Sequence, residues 1–114
     1  MKWVIFLPNT GIWIRTRLMK CGEDYPHHMY RLLKEKKKKA GFKVGNYQNF
    51  RNYVYWLSHL GLIEFVREEP SSSPVLLSNR RYYRLTAKGR SLQSLEAWRN
   101  PRKYLYRESW KKSH

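Results

Sequence analysis

Leu57-Ser58-His59-Leu60-Gly61-Leu62-Ile63-Glu64 and Arg80-Arg81-Tyr82-Tyr83-Arg84-Leu85-Thr86-Ala87-Lys88-Gly89 are the stretches on which the fold turns. In the first, an aromatic-rich helix runs out at Gly61, a natural C-terminal stop. Leu62 to Arg67 then alternates weakly and carries Ile, Phe and Val, as a strand does. In the second, Arg81 to Leu85 is the returning strand, with Tyr82 and Arg84 facing opposite to Tyr83 and Leu85. Thr86 follows as a capping residue for a further helix. Pro70-Ser71-Ser72-Ser73-Pro74 lies between the strands, and prolines at both ends bar it from a sheet, so it forms the tip of a long hairpin.

Working outward, the helix that ends at Gly61 begins at Gly45-Asn46. Phe50, Tyr53, Val54 and Leu57 fall on one face, with Leu60 at its edge. At about 100° per residue the opposite face holds Gln48, Asn52, Tyr55 and His59, flanked by Asn49, Arg51 and Trp56. Upstream, Asp24 is placed to cap a second helix with Pro26 in its first turn. Met29, Leu32 and Leu33 make its apolar face, Lys34 to Lys39 is nearly all lysine, and Gly41 ends it. Glu35 supports Lys39 one turn on. Before that, Asn9-Thr10 supplies capping side chains for a helix carrying Ile12, Trp13, Arg15, Thr16, Leu18 and Met19 to Gly22, although Ile12-Trp13-Ile14 is equally strand-like. Trp3 to Leu7 is an apolar lead-in, either a short strand or a buried approach to that helix. Downstream, Thr86 caps a fourth helix whose stripe is Leu92, Leu95 and Trp98, and Asn100-Pro101 stops it. The expected organisation is one domain over residues 1–100 and a basic, aromatic tail over residues 101–114. Part of that tail is expected to pack, on its own domain or on a partner subunit.

The chain has 114 residues, 24 Lys plus Arg against 8 acidic side chains, and a formal net charge of +16. With 41% hydrophobic and 16% aromatic residues it is too apolar for a disordered basic tail. The charge therefore belongs on the outside of a fold, where it attracts polyanions. A membrane is a poor fit, since no apolar run approaches the roughly 20 residues of a span. Trp3 to Leu7 is also shorter than the roughly 7–15 residues of a signal-peptide core. The expected location is intracellular, cytoplasmic and close to the nucleoid. Cys21 is the only cysteine, which excludes an internal disulfide or a cysteine-rich zinc site; it reads as a small, partly buried hydrophobe.

Three helices followed by a hairpin, carried by the two stretches quoted above, resemble the winged helix-turn-helix superfamily. The likeness spans roughly residues 10 to 98. Both stretches look like segments of small prokaryotic, especially archaeal, regulators of the PadR-like and MarR-like kind. The resemblance implies an α+β fold with a three-helix core, a hairpin wing and an additional C-terminal helix. It also implies double-stranded DNA as partner, with the third helix in the major groove.

On that expectation Asn46, Gln48, Asn49, Arg51, Asn52 and Tyr55 are the recognition-helix candidates. Amides pair with adenine and Arg with guanine, and residues near the helix N-terminus reach deepest. Arg80, Arg81 and Arg84 are the wing candidates for a narrow minor groove, the alternative being a charged edge that guards against aggregation. Lys36, Lys37, Lys38 and Lys39, with Lys34 beside them, are candidate phosphate contacts, the alternative being a solvated face. No catalytic constellation is evident. His27-His28 are adjacent and point about 100° apart, there is no acidic cluster for two metals, and no phosphate-cradling glycine loop is present. The chain is accordingly expected to be no enzyme and to need no cofactor, metal or small-molecule ligand. It is expected to act as a homodimeric transcription regulator on an inverted repeat. The competing classes are nonspecific architectural or RNA binding, and a winged helix used for protein contacts.

Overall fold

The computed structural model describes residues 9–70 and 79–106. The apolar lead-in Trp3 to Leu7, the loop residues Ser71 to Pro74, and the tail from Arg107 with Trp110, Lys111 and Lys112 lie outside the described residues.

Helix α1 spans Thr10–Cys21, capped by Asn9, whose side chain accepts from the Gly11 and Ile12 amides. Ile12-Trp13-Ile14 is thus helical: the Asn9 cap and the burial of Ile14 and Leu18 one turn apart outweigh the strand preference of the run. Strand β1 is the two residues Glu23–Asp24, and helix α2 is Pro26–Lys39. Helix α3 is Tyr47–His59, capped by the Asn46 side chain. Strands β2 (Ile63–Glu69) and β3 (Arg80–Leu85) form the hairpin. The three strands make an antiparallel sheet in the order β1-β3-β2. Ile63 opposes Leu85 and Glu64 opposes Arg84, and the register slips between Phe65 and Arg67.

The core collects one side of every long element. Ile14 and Leu18 come from α1, Met29 and Leu33 from α2, and Phe50, Val54 and Leu57 from α3. Leu60, Leu62, Ile63, Leu85 and Trp98 complete the cluster. Each amphipathic helix alone would leave its stripe in water; stacked on the sheet, the stripes bury one another.

Three expectations are corrected. The fourth helix is not continuous. Helix α4 covers only Ala87–Arg90, a 3-10 turn follows at Leu92–Ser94, and helix α5 is Leu95–Arg99. The break lets Trp98 reach the centre of the core, where its Nε1 donates to the Gly89 carbonyl at 3.1 Å. Leu92, counted in the stripe, is 75% exposed. Asp24 does not cap α2, because Tyr25 holds the cap position without a side-chain cap bond. Asp24 is instead 4% exposed, within β1. Cys21 is exposed rather than partly buried.

Asn100 breaks the helix after Arg99, as the Asn-Pro pair requires, and residues 101–106 are helical again. Tyr104 and Leu105 pack against the core, so the described part of the tail belongs to the domain.

The two quoted motifs prove to be one joint. The Thr86 hydroxyl donates to the Gly61 carbonyl at 2.5 Å and accepts from the Gly89 amide at 3.0 Å. The Lys88 ammonium donates to the Leu60 carbonyl at 2.9 Å. Gly89 is required by closeness, since a Cβ there would sit 2.0 Å from the Leu62 carbonyl oxygen. The carbonyls left open at the end of α3 are thereby satisfied by the segment that follows the hairpin.

Candidate nucleic-acid interface

Helix α3 owes its position to Phe50, Val54 and Leu57, which are buried, and this turns Gln48, Arg51 and Tyr55 outward. Gln48 and Arg51 are exposed, Tyr55 is 58% exposed, and Asn52 is half-buried. Gln48 Nε2 donates to Asn52 Oδ1 at 3.3 Å, so the two amides hold each other along the ridge. Tyr55 packs on His59 with ring centroids 4.2 Å apart. Asn46 is exposed, and its side-chain oxygen accepts from the Asn49 amide at 2.8 Å, which holds it to the helix cap. Its NH2 group and the oxygen's second lone pair remain for other contacts.

Asn49 departs from the ridge. It lines a hollow of about 90 Å³ between α2 and α3, together with Lys34 and Lys37. Helical spacing already put Asn49 on the flank of the outward face, and it is exposed there. Tyr47 seats the start of α3 on α2, with its ring 5.2 Å from that of His27 and 5.4 Å from that of Tyr30. Burial pushes the Tyr47 phenol up, partly opposed by the Arg51 guanidinium.

The lysine run closes α2. Lys36, Lys38 and Lys39 are exposed and Lys37 is half-buried. All four lie in the last turn, where cations offset the partial negative charge of the helix end. That electrostatic role needs no ligand. It also leaves a cluster of cations whose ammoniums have no ion pair among the described residues.

The hairpin arginines stand differently. Arg84 lies directly between Glu23 of β1 and Glu64 of β2 in the sheet register, and its Nε meets Glu64 Oε1 at 2.6 Å. The Arg81 guanidinium lies over the Phe65 ring at 5.1 Å, and that of Arg80 over the Tyr25 ring at 5.2 Å. Arg67, which the sequence did not single out, pairs with Glu23 and with Glu69 and covers the Tyr82 ring at 4.1 Å. Arg67 holds the Glu69 carboxyl below its ordinary value, chiefly through their hydrogen bond. The structure therefore places the hairpin cations in a locally balanced network of charges and rings.

Sequence reading also missed a buried polar centre. Asp24 accepts from Arg17 Nε at 3.0 Å and from the Tyr25 amide at 2.9 Å, and its carboxylate lies 2.8 Å from His28 Nδ1. It ties α1, β1 and α2 together. The visible signal was Asp24 as the sole aspartate, read as a cap because it precedes Tyr25-Pro26. No group of three metal-ligating side chains occurs among the described residues, and no helix there is long and apolar enough to cross a membrane.

The chain matches no protein-family model, no curated protein and no solved structure.

Proposed function

We propose that the protein binds double-stranded DNA in a sequence-specific manner through a winged helix-turn-helix and acts as a transcription regulator, working as a dimer. The observation that carries this is the outward ridge of α3. It presents Gln48, Arg51, Asn52 and Tyr55 on a helix whose other side is locked into the core. Amides and a guanidinium are the groups that make paired hydrogen bonds to base edges, whereas a merely solvated ridge favours Glu and Lys. Further support comes from the element order α1-β1-α2-α3-β2-β3 and the strand order β1-β3-β2, which suit a winged helix. The lysine end of α2 precedes α3 and supplies backbone attraction that carries no sequence information. Because Arg84 is paired and Arg80 and Arg81 lie over rings, the main contact is assigned to α2 and α3, with the wing as an auxiliary.

The test is duplex binding titrated from low to physiological salt, with random genomic DNA against the chain's own upstream region. Preference that survives high salt is the expected result. Equal binding of unrelated duplexes that collapses with salt would reduce the function to backbone attraction. No binding at any salt would sink the proposal.

A further inference from the structure

A second surface lies beside the ridge. Tyr53 lines two hollows at once: the one between α2 and α3, and an open groove of about 630 Å³ between α3 and helical residues 101–106. The groove is walled by Trp56 and Tyr106 and rimmed by Arg102 and Lys103. Along one flank of α3 the two hollows thus run from Lys34, Lys37 and Asn49, past Tyr53, to Trp56. No lining residue of either hollow is acidic. The side chains of Lys34, Lys37, Arg102 and Lys103 have no ion pair or hydrogen bond among the described residues. The Tyr53 and Trp56 rings lie 5.5 Å apart and tilted, and Tyr106 is 75% exposed at the open end.

We infer that this flank is a binding track for single-stranded nucleic acid, separate from the duplex-reading ridge. Two half-buried rings, Tyr53 and Trp56, an exposed one, Tyr106, and cations without an ion pair among the described residues are together what an unstacked, polyanionic strand requires. Every base has a face to stack, and the cations follow the backbone. A duplex cannot use such a groove, because its bases are already stacked on one another. A second copy of the chain fits this groove poorly, since Arg102 and Lys103 rim it and lysine is depleted at protein interfaces. Tyr53, where the two hollows meet, lies about 160° around α3 from both Arg51 and Tyr55, so the rings of the track and the ridge can be tested one at a time, while Lys37 serves either polyanion.

The experiment is fluorescence anisotropy with end-labelled oligo-dT and oligo-U of about 15 nucleotides, within the usual site size, beside a labelled duplex. The full chain is compared with Tyr106→Ala, Trp56→Leu, Lys103→Ala and Arg51→Ala, each checked for folding by circular dichroism. Binding of single strands is expected, weakened about tenfold by Tyr106→Ala or Trp56→Leu and unaltered by Arg51→Ala. Lys103→Ala is expected to reduce the salt dependence by about 0.7 in log–log slope. Tyr106 is exposed, so its variant keeps the test meaningful if Trp56→Leu unfolds. Single-strand affinity that is absent at low salt, or indifferent to Tyr106→Ala and Lys103→Ala, overturns the inference. So does sedimentation showing a dimer that Tyr106→Ala dissociates, because the groove would then be a contact between copies. Retained single-strand binding without any duplex binding would refute the duplex function and leave this track standing. Preference between oligo-dT and oligo-U assigns the strand as DNA or RNA.

Discussion

At the scale of single residues, the joint between Gly61 and Gly89 makes the sharpest demands. Thr86→Ala removes both the cap of α4 and the bond to the Gly61 carbonyl, and is expected to cost about 1–2 kcal/mol in denaturant unfolding. Gly89→Ala forces a methyl against the Leu62 carbonyl, and should cost about 1–3 kcal/mol because backbone, not a flexible side chain, must yield. If Gly89→Ala melted with the wild type, the close approach would be wrong. These residues were legible as a motif but not as a mechanism, because capping and close approach are set by a segment distant in sequence. A proton-linked prediction belongs here too. Arg67 lowers the Glu69 carboxyl below its ordinary value in the folded state. The folded value is the lower one, so any stabilisation is present above the ordinary carboxylate range and fades as pH falls through the lowered value. In Arg67→Ala, a carboxyl-carbon NMR titration should find Glu69 moved back up towards its ordinary value; an unmoved titration would remove Arg67 as the cause.

At the scale of elements, what the sequence revealed follows hydrophobic period. The face of α3 was readable because Phe50, Val54 and Leu57 repeat at helical spacing between an Asn cap and a Gly stop. The hairpin was readable because β-branched and aromatic residues flank a Pro-bounded loop. The segment after Thr86 misled because Leu92, Leu95 and Trp98 keep the same helical spacing, although the chain turns sharply at Ser91 and at Leu92–Ser94. Spacing reports which residues would share a helix face; it does not report a break that serves to bury one large ring. The two are separable by mutation. Leu92→Ala should change stability by no more than about 0.5 kcal/mol, as an exposed position does, whereas Trp98→Ala should cost about 3–5 kcal/mol. Comparable losses would restore a continuous helix. β1 was invisible for a different reason: two residues, Glu23 and Asp24, carry no period at all. For α3, Arg51→Ala and Asn52→Ala should each cost about 1–3 kcal/mol on a preferred duplex and relax its sequence preference. Specific binding that survived Arg51→Ala would mean the outward ridge is not what meets the bases.

At the scale of the whole molecule, charge is segregated. Glu23, Asp24, Glu64, Glu68 and Glu69 all lie in the sheet, out of 8 acidic residues in the chain. Helix α2 sets Arg31, Lys34 and Lys36 to Lys39 against Glu35 alone. Net charge was legible from composition, but its division between a balanced sheet and a cationic helix end was not, because strand pairing decides which arginines meet glutamates. On the proposed function, the division predicts where counterions would be displaced by a bound duplex. Each phosphate neutralised contributes about 0.9 to the slope of log affinity against log salt. Lys37→Ala and Lys38→Ala should each lower that slope by about one unit and weaken all duplexes alike. Arg84→Ala should leave it unaltered, because Arg84 already faces Glu64 at 2.6 Å and Glu23 across the strand. A unit change on removing Arg84 would show that the wing abandons its ion pair to grip the backbone, and would move the auxiliary contact to the centre of binding. The same titration, run in the analytical ultracentrifuge, tests assembly. A two-fold complex on an inverted repeat doubles the phosphates met per bound species. A sedimenting mass of one chain, with and without duplex, would exclude the dimer.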